Sequence, residues 1–376
     1  MTATSRHFHN DSCVKLVFDI VGEATGDNFG RQVALSDNGT IVAIGAPNDG
    51  ENSGHVRVLQ LVEGSWERMG EDIYGEADDD EFGCGFGLSV DGSIVAIGAP
   101  CNDDGYGYYS GHVRVYKYDG SSWNILEDLY GEAASDFGDR SGASVSLSAN
   151  GFIVALGAES NNYDSGDLEY SGHVRIYKYD GFSWIQLRGD LDREGEYDES
   201  GASVSLSEDG SNVAIGAPYY DSGHSCLSDG NSGHVRIYKF DGSSSNQLGG
   251  DLYGEAAGDL SGISIDLSDD GSIVAIGATL NNGDNGKDSG HVRIYNYNGS
   301  SWNKVGGDLN GEGAYDRFGI SVALSSDGSI VAIGGVGIGG VGGSLSRVHV
   351  HIYKFDGASW DQLGRWIWTV KLTMID

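Results

Sequence analysis

Carboxylates are the side chains of this sequence whose type and placement could do chemistry. Eight aspartates, Asp103, Asp104, Asp164, Asp167, Asp221, Asp229, Asp284 and Asp288, fall in segments of varying length that are otherwise rich in Asn, Gly and Tyr. Such carboxylates can hold a cation or accept hydrogen bonds from the hydroxyls and amides of a partner, and they are the candidate ligand-binding residues. A second set recurs as pairs four apart: Glu23/Asp27, Glu76/Asp80, Glu132/Asp136, Glu194/Asp198, Glu255/Asp259 and Glu312/Asp316. Asp closes turns by accepting backbone N–H groups, so pairs present in every unit are expected to serve the scaffold. His55 and Arg57, His112 and Arg114, and their counterparts lie two apart and share one strand face. A structural layer of His, Arg and Tyr, held by cation–π and hydrogen-bond contacts, accounts for them. No GxSxG, HExxH or P-loop is present. The non-repeated arginines, Arg31, Arg68, Arg140, Arg188, Arg193 and Arg317, show no pattern of a channel-lining cluster. No catalytic residues and no enzyme are expected.

The elements that must position these residues are repeats. Val-Ala-Ile-Gly-Ala recurs from Val42, Val95, Val213 and Val274, with close variants from Val154 and Val331, at spacings of 53 to 61 residues. Gly-His-Val-Arg follows from Gly54, Gly111, Gly172, Gly233 and Gly290, and degenerates to Arg347–His351 in the sixth copy. Each unit reads as four short strands. Strand A alternates, as in Ala143-Ser144-Val145-Ser146-Leu147, and an Asx-Gly turn such as Asp91-Gly92 leads to strand B. Strand B is an uninterrupted apolar run, which implies burial on both faces. Strand C carries His-Val-Arg, and strand D carries Trp followed by Asp-Leu-x-Gly-Glu. No helical period appears. Six such units bury themselves best as the blades of a β-propeller; a six-bladed ring is expected, with part of a seven-bladed ring as the alternative.

The units are similar to FG-GAP repeats, the units of the integrin α-subunit propeller, and in particular to the second FG-GAP type, that of repetitive surface proteins of microbes and algae. Phe29-Gly30, Phe82-Gly83 and Phe318-Gly319 match the FG half, and Ser stands before Gly142, Gly201 and Gly262. Gly45-Ala46-Pro47, Gly98-Ala99-Pro100 and Gly216-Ala217-Pro218 match the GAP half; Gly157-Ala158-Glu159, Gly277-Ala278-Thr279 and Gly334-Gly335-Val336 depart from it. The resemblance covers residues 14–364. It implies a cell-surface or extracellular binding and adhesion module with a protein or glycan ligand. The alternative is a propeller hydrolase or lyase acting on polysaccharide, which convergent acids with an arginine cluster would favour. The integrin-like propeller holds calcium in a long A-to-B loop, but here that loop is a bare hairpin, Ser325–Ser329, with too few oxygens for an ion that wants six to eight. No cofactor is expected, with calcium the one ion the acidic loops could take.

Residues 1–13 read as a disordered segment, 14–23 as a closing outer strand, and 365–376 as an atypical tail. The repeat units run about 24–75, 76–131, 132–193, 194–254, 255–311 and 312–364. A net charge of −34 repels phosphate backbones and anionic headgroups, so neither nucleic acid nor membrane binding is expected. No apolar run is long enough for a membrane span and no secretion signal is legible at the start. Oligomeric state is left open. Counting outward from the Asp91-Gly92 turn places Cys84 near Cys101, and a disulfide between them is expected, with Cys13 and Cys226 unpaired.

Overall fold

The computed structural model describes residues 6–9, 12–15, 20–103, 108–131, 138–160, 170–187, 189–191, 195–220, 230–242, 244–283, 285–337, 347–364 and 370–371. The Asx-Gly punctuation forms antiparallel sheets with strands A to D in sequence order, six in all, and the fold is an all-β six-bladed β-propeller. The chain divides into two compact units, Met1–Leu191 and Asp192–Asp376, with three blades in each.

In the first unit, blade one is built from Val33–Leu35, Ile41–Ala46, His55–Val62 and an outer strand in two pieces, Ser65–Arg68 and Ile73–Tyr74. Blade two runs Phe86–Leu88, Ile94–Ala99, His112–Tyr118 and Trp123–Tyr130; blade three runs Ser144–Leu147, Ile153–Ala158, His173–Tyr179 and Trp184–Gln186. Strand B is buried along its whole length in blades one and two, as its unbroken apolar run demands. Each such Val or Ile contributes roughly 1.5–3 kcal/mol relative to exposure. The core between the first two blades gathers Val56, Val58, Phe82, Phe86, Val95 and Ile97.

The FG and GAP glycines are adjacent for a steric reason. A Cβ on Gly98 would stand 2.1 Å from the carbonyl oxygen of Gly142, and one on Gly45 would stand 2.4 Å from that of Gly83. The GAP glycine of these blades therefore receives the backbone of the next blade's FG half, an approach closer than any side chain allows. The A-to-B turns are consumed by packing as well. Asp37 N–H donates to the Val90 carbonyl at 3.0 Å and Val90 N–H to that of Ala149 at 3.0 Å, which chains the three hairpins together. Trp123 Nε1–H donates to the Met69 carbonyl at 2.6 Å and ties blade two to blade one at the outer edge.

The second unit repeats the design. Its blades are Ser203–Leu206, Asn212–Ala217, His234–Phe240 and Ser245–Gln247; Ser261–Leu267, Ile273–Ala278, His291–Tyr297 and Trp302–Lys304; and Ser321–Leu324, Ile330–Gly337, Arg347–Phe355 and Trp360–Gln362. Gly216 meets the Gly262 carbonyl and Gly277 that of Gly319, each at 2.1 Å from an added Cβ. Hairpins chain through Glu208 N–H to Asp269 and Asp269 N–H to Ser326.

The ends differ from the sequence reading. Arg6–His9 pairs with Ser12–Lys15 as an antiparallel hairpin, so residues 14 and 15 serve that hairpin and not a closing strand, and 6–9 are ordered by the pairing. In the last blade Val370 and Lys371 pair with Val348 and Arg347, which supplies the second piece of its outer strand from the expected tail.

Candidate functional site

Of the eight candidate aspartates, Asp104, Asp164, Asp167, Asp221, Asp229 and Asp284 lie outside the described residues. Asp103 is exposed and accepts the Tyr109 N–H at 2.8 Å, closing its own loop. Asp288 sits at φ 52°, donates its N–H to Asn282 Oδ1 at 2.9 Å and accepts the Arg317 N–H at 3.1 Å through its carbonyl. Each serves local loop geometry, and the two fall in different units.

The repeated acids divide their work between turns and ion pairs. Asp27, Asp80, Asp198, Asp259 and Asp316 are buried. Asp27 accepts the Ala24 N–H at 2.7 Å, Asp259 those of Glu255 and Ala256, and Asp316 that of Glu312. In the third unit Glu132 and Asp136 lie outside the described residues, and the buried acid is Asp139, three positions before Gly142 as the others stand before their own glycines. The fixed offset from the glycine could have found it. The glutamates pair with the strand C arginines: Glu23 with Arg57, Glu76 with Arg114 at 2.7 Å, and Glu255 with Arg293. Each arginine also meets an acid of strand D: Arg57–Asp72, Arg114–Asp128, Arg175–Asp190, Arg236–Asp251 and Arg293–Asp308. Arg57 lies 5.5 Å from the Phe29 ring centre, the expected cation–π contact. The strand C histidines His112, His234 and His291 are buried and burial lowers their basicity, that of His234 to about 4, so they are neutral core groups.

The non-repeated chemistry gathers elsewhere, in the first unit, on the loops that lead into and out of strands A and B. Glu81 and Cys84 flank Gly83 before strand A of blade two, and Cys101 follows its strand B. Arg140 precedes Gly142 of blade three, and Glu159 follows strand B there, in the place the GAP motif gives to Pro. Arg140 Nε stands 3.6 Å from Glu159 Oε1, and its Nη2 stands 3.9 Å from Glu81 Oε2. The backbone fixes both loops. Glu81 (φ 55°) and Arg140 (φ 54°) occupy the left-handed region, with N–H donated to the Asn52 and Tyr109 carbonyls at 2.9 Å and carbonyls accepting Cys84 N–H and Ala143 N–H at 3.1 Å. Asn28, Glu199, Leu260 and Arg317 take the same conformation at the matching positions, so the frame dictates the backbone and leaves the side chain free to vary.

Burial raises the Glu159 carboxyl above the ordinary glutamate range, against the opposing pull of Arg140 and Arg31. Burial works against the charge of Arg140, but Glu159, Cys101 and Glu81 outweigh it and hold the guanidinium above its usual value. Cys101 is pushed up to about 12 by burial and then by Glu81, and burial raises Cys84 as well. Both are free thiols, which corrects the expected disulfide: Cys101 turns its N–H back onto the Asp80 carbonyl and leaves the ladder that the counting extended. A thiol titrating near 12 is about one part in 10⁵ thiolate at pH 7, which leaves Cys101 a poor nucleophile. Cys13 belongs to the amino-terminal hairpin and Cys226 lies outside the described residues. Among the described residues no group of three or more His, Cys, Asp or Glu is arranged to hold a metal ion. What the site offers is a carboxyl kept protonated more readily than usual, a second carboxylate, and a guanidinium between them. Sequence reasoning passed over Arg140 and Glu81; the signal at Glu159 was its departure from GAP.

No curated protein matches the chain in sequence. Among solved structures, the proposed 6-phosphogluconolactonase of Bacteroides uniformis is similar, with a TM-score of 0.59, 12% identity, and 94% of this chain and 90% of that one covered. The periplasmic gluconolactonase of Pseudomonas aeruginosa gives a TM-score of 0.54, 14% identity and coverage of 88% and 82%. The hydrazine synthase of Kuenenia stuttgartiensis gives 0.53, 12%, and 90% and 80%. At these identities the likeness shows the fold alone. These findings correct the expected non-catalytic binding and adhesion module in favour of its hydrolase alternative: similar propellers bear lactonase names, and Glu81 and Glu159 converge on Arg140. The FG-GAP repeat matches residues 22–58, in agreement with the resemblance read from the motifs.

Proposed function

We propose that the chain is a propeller hydrolase that cleaves a C–O bond of a sugar-derived substrate, at the loop-bearing ends of the first unit's blades around Arg140. One observation supports this above the rest: two carboxyl groups from successive blades, Glu81 and Glu159, meet the one guanidinium of Arg140. Hydrolysis of a glycosidic bond or cyclic ester divides its work between two such groups. Glu81 accepts a proton from the attacking water as the oxygen bonds to the reacting carbon. Glu159 gives its proton to the leaving oxygen as the C–O bond breaks. In the cyclic-ester case Arg140 offsets the negative charge that builds on the carbonyl oxygen under attack. The Cys101 thiol, kept protonated by burial and by Glu81, lies beside that carboxylate and does not react. A setting outside the cell, implied by the FG-GAP resemblance, belongs to this proposal.

The test is turnover by the purified chain on gluconolactone and on neutral and acidic oligosaccharides. Glu159→Gln and Glu81→Gln are each expected to lower kcat by about 10²–10⁴-fold, the usual contribution of a general acid or base. Activity should also fall as pH rises through the raised Glu159 value. Absence of turnover on every substrate, or unchanged turnover in Glu159→Gln, overturns the proposal.

A further inference from the structure

The hairpin end of blade three carries apolar side chains where the other units are polar or small. After the Asx-Gly of the A-to-B turn those units have Thr40, Ser93, Ser211, Ser272 and Ser329, and blade three has Phe152. After the Asx-Gly of the C-to-D turn stand Ser121, Ser243, Ser300 and Ala358, and in blade three Phe182. Where strand D pairs with the end of strand C, the others have Glu67, Asn124, Asn246, Asn303 and Asp361, and blade three has Ile185 opposite Lys178. Phe182 is 93% exposed, Ile185 51% and Phe152 37%. One exposed apolar side chain is ordinary. Three such departures at a single blade end mark a contact surface.

The turns that carry them are fixed. The Ala149 carbonyl accepts the Val90 N–H at 3.0 Å, and Tyr179 N–H donates to the Phe152 carbonyl at 2.8 Å. Asp180 accepts the N–H groups of Phe182 and Ser183 at 2.8 and 2.9 Å, and the Tyr179 hydroxyl donates to the Gly181 carbonyl at 3.1 Å. The Phe152 and Tyr179 ring centres are 5.8 Å apart, which joins the two turns. Covering Phe182 therefore demands little further ordering of backbone. The neighbouring charges point to what covers it. Lys178 faces Ile185 where Lys117, Lys239 and Lys354 face Asn124, Asn246 and Asp361, and it makes no ion pair among the described residues. Asp180, two residues on, is exposed. The blade end thus offers one cation and one anion in a chain of net charge −34, a place where two such chains meet without a local excess of like charge.

We propose that this blade end is a self-association surface: a second copy of the chain packs on it about a two-fold axis, Phe182 at the centre, with Lys178 of each copy facing Asp180 of the other. The surface lies at the end of the blade away from Arg140 and stands whether or not the chain hydrolyses anything. So few side chains cover less than the roughly 1,200–2,000 Å² of a stable interface, so the dimer is weak, with a Kd on the order of 10–100 µM.

The experiment is sedimentation equilibrium of the whole chain from about 5 to about 200 µM, which brackets that Kd, in about 0.15 and about 0.5 M sodium chloride. The average mass should rise from monomer toward dimer, further in the higher salt, because screening weakens the repulsion between two −34 bodies and spares the apolar contact. The double variant Phe182→Ser with Ile185→Asn carries residues that other units use at those positions. It should raise Kd at least about tenfold and keep the parent's melting temperature. Lys178→Glu should weaken association more in the lower salt than in the higher. A parent that stays monomeric throughout, including one that instead floats with phosphatidylcholine vesicles, overturns the proposal, as does association undiminished in the double variant.

Discussion

The two units share one frame and differ in what they hang on it. Three positions per blade, two before the FG glycine, one after it, and the one after Gly-Ala, carry Asn28, Arg31 and Pro47, then Glu81, Cys84 and Pro100, then Arg140, Ala143 and Glu159 in the first unit. In the second they carry Glu199, Ala202 and Pro218, then Leu260, Ile263 and Thr279, then Arg317, Ile320 and Val336. The backbone is the same at these places: Arg140 and Leu260 have φ of 54° and 55°. Ion pairs between neighbouring blades at these positions occur in the first unit. The difference teaches that the repeat supplies rigid attachment points, and chemistry arises where substitutions in successive blades complement one another.

The largest expected effect tests whether the frame is shared. Gly98→Ala in the first unit and Gly277→Ala in the second each thrust a methyl group to within 2.1 Å of a backbone carbonyl of the next blade. Neither flexes away as a side chain would, so each should cost several kcal/mol, at the diagnostic end of single substitutions. Denaturant unfolding of both variants reads it. A mild loss in one unit and a severe one in the other would break the equivalence of the two frames.

Next comes the chemistry. Glu159→Pro restores the GAP motif, and Pro is accepted at the matching position in Pro47, Pro100 and Pro218. It should therefore lower hydrolysis at least about 100-fold, the scale of a lost general acid, with little change in melting temperature. Thr279→Pro makes the same change in the second unit and should leave activity intact. If both variants lose activity alike, the site is not confined to the first unit.

The fold was legible because its determinants are local and recur. Asp91-Gly92 forms its hairpin, the strand B run of Ile94–Ala99 is fully buried, and the FG and GAP glycines meet for reasons of space at Gly45, Gly98, Gly216 and Gly277. The candidate site was legible only at Glu159, where a motif position changes type. Arg140 and Glu81 are 59 residues apart in sequence and meet because blades stack, so no single window holds both. The strand D partners of the arginines escaped notice for a related reason. The separation is 15 residues in Arg57–Asp72 and 14 in Arg114–Asp128, where the register shifts between Val115 and Tyr116. The long B-to-C aspartates drew attention by density; of the two described, Asp103 accepts the Tyr109 N–H of its own loop and Asp288 sits in a left-handed turn whose N–H meets Asn282.

A third prediction concerns pH. At the fourth position past the FG glycine the first unit has Ala34, Gly87 and Ser146, and the second has Ser205, Asp266 and Ala323. Asp266 links three blades of its unit, accepting Leu324 N–H at 2.7 Å, Ser205 Oγ at 3.1 Å and Leu267 N–H at 3.1 Å. Burial pushes it up to about 6 despite those donors, with Asp269 adding to the rise. Because the folded value exceeds the unfolded one, its contribution is fully present below the unfolded value near 4 and is lost as pH rises through about 6. The loss amounts to at most about 3 kcal/mol. Asp266→Asn keeps an acceptor and cannot ionise. Its unfolding free energy, measured from pH 4 to 7, should fall less steeply than the parent's, and parallel curves would remove this asymmetry between the units.

The smallest effect expected is that of calcium, and it asks whether the two units are alike where their hairpins are alike. Asp91 in the first unit accepts the Ser93 N–H at 2.9 Å and the Ser89 hydroxyl at 2.7 Å; Asp209, Asp270 and Asp327 in the second repeat the arrangement. These donors hold Asp91, Asp209, Asp270 and Asp327 below the usual carboxylate range even where burial opposes them. Each carboxylate is thus oriented inward on its own turn, and calcium would have to displace those bonds while finding few other oxygens nearby. Screening of the −34 charge acts through any salt. Only a site occupied in the folded state adds RT ln(1 + [L]/Kd). Melting temperatures in calcium chloride and in sodium chloride at matched ionic strength should therefore coincide within about a degree, since the added term vanishes without a site. A higher value in calcium, abolished by Asp91→Asn but not by Asp270→Asn, would place an ion site in the first unit's hairpins and make the two units differ at both ends of their blades.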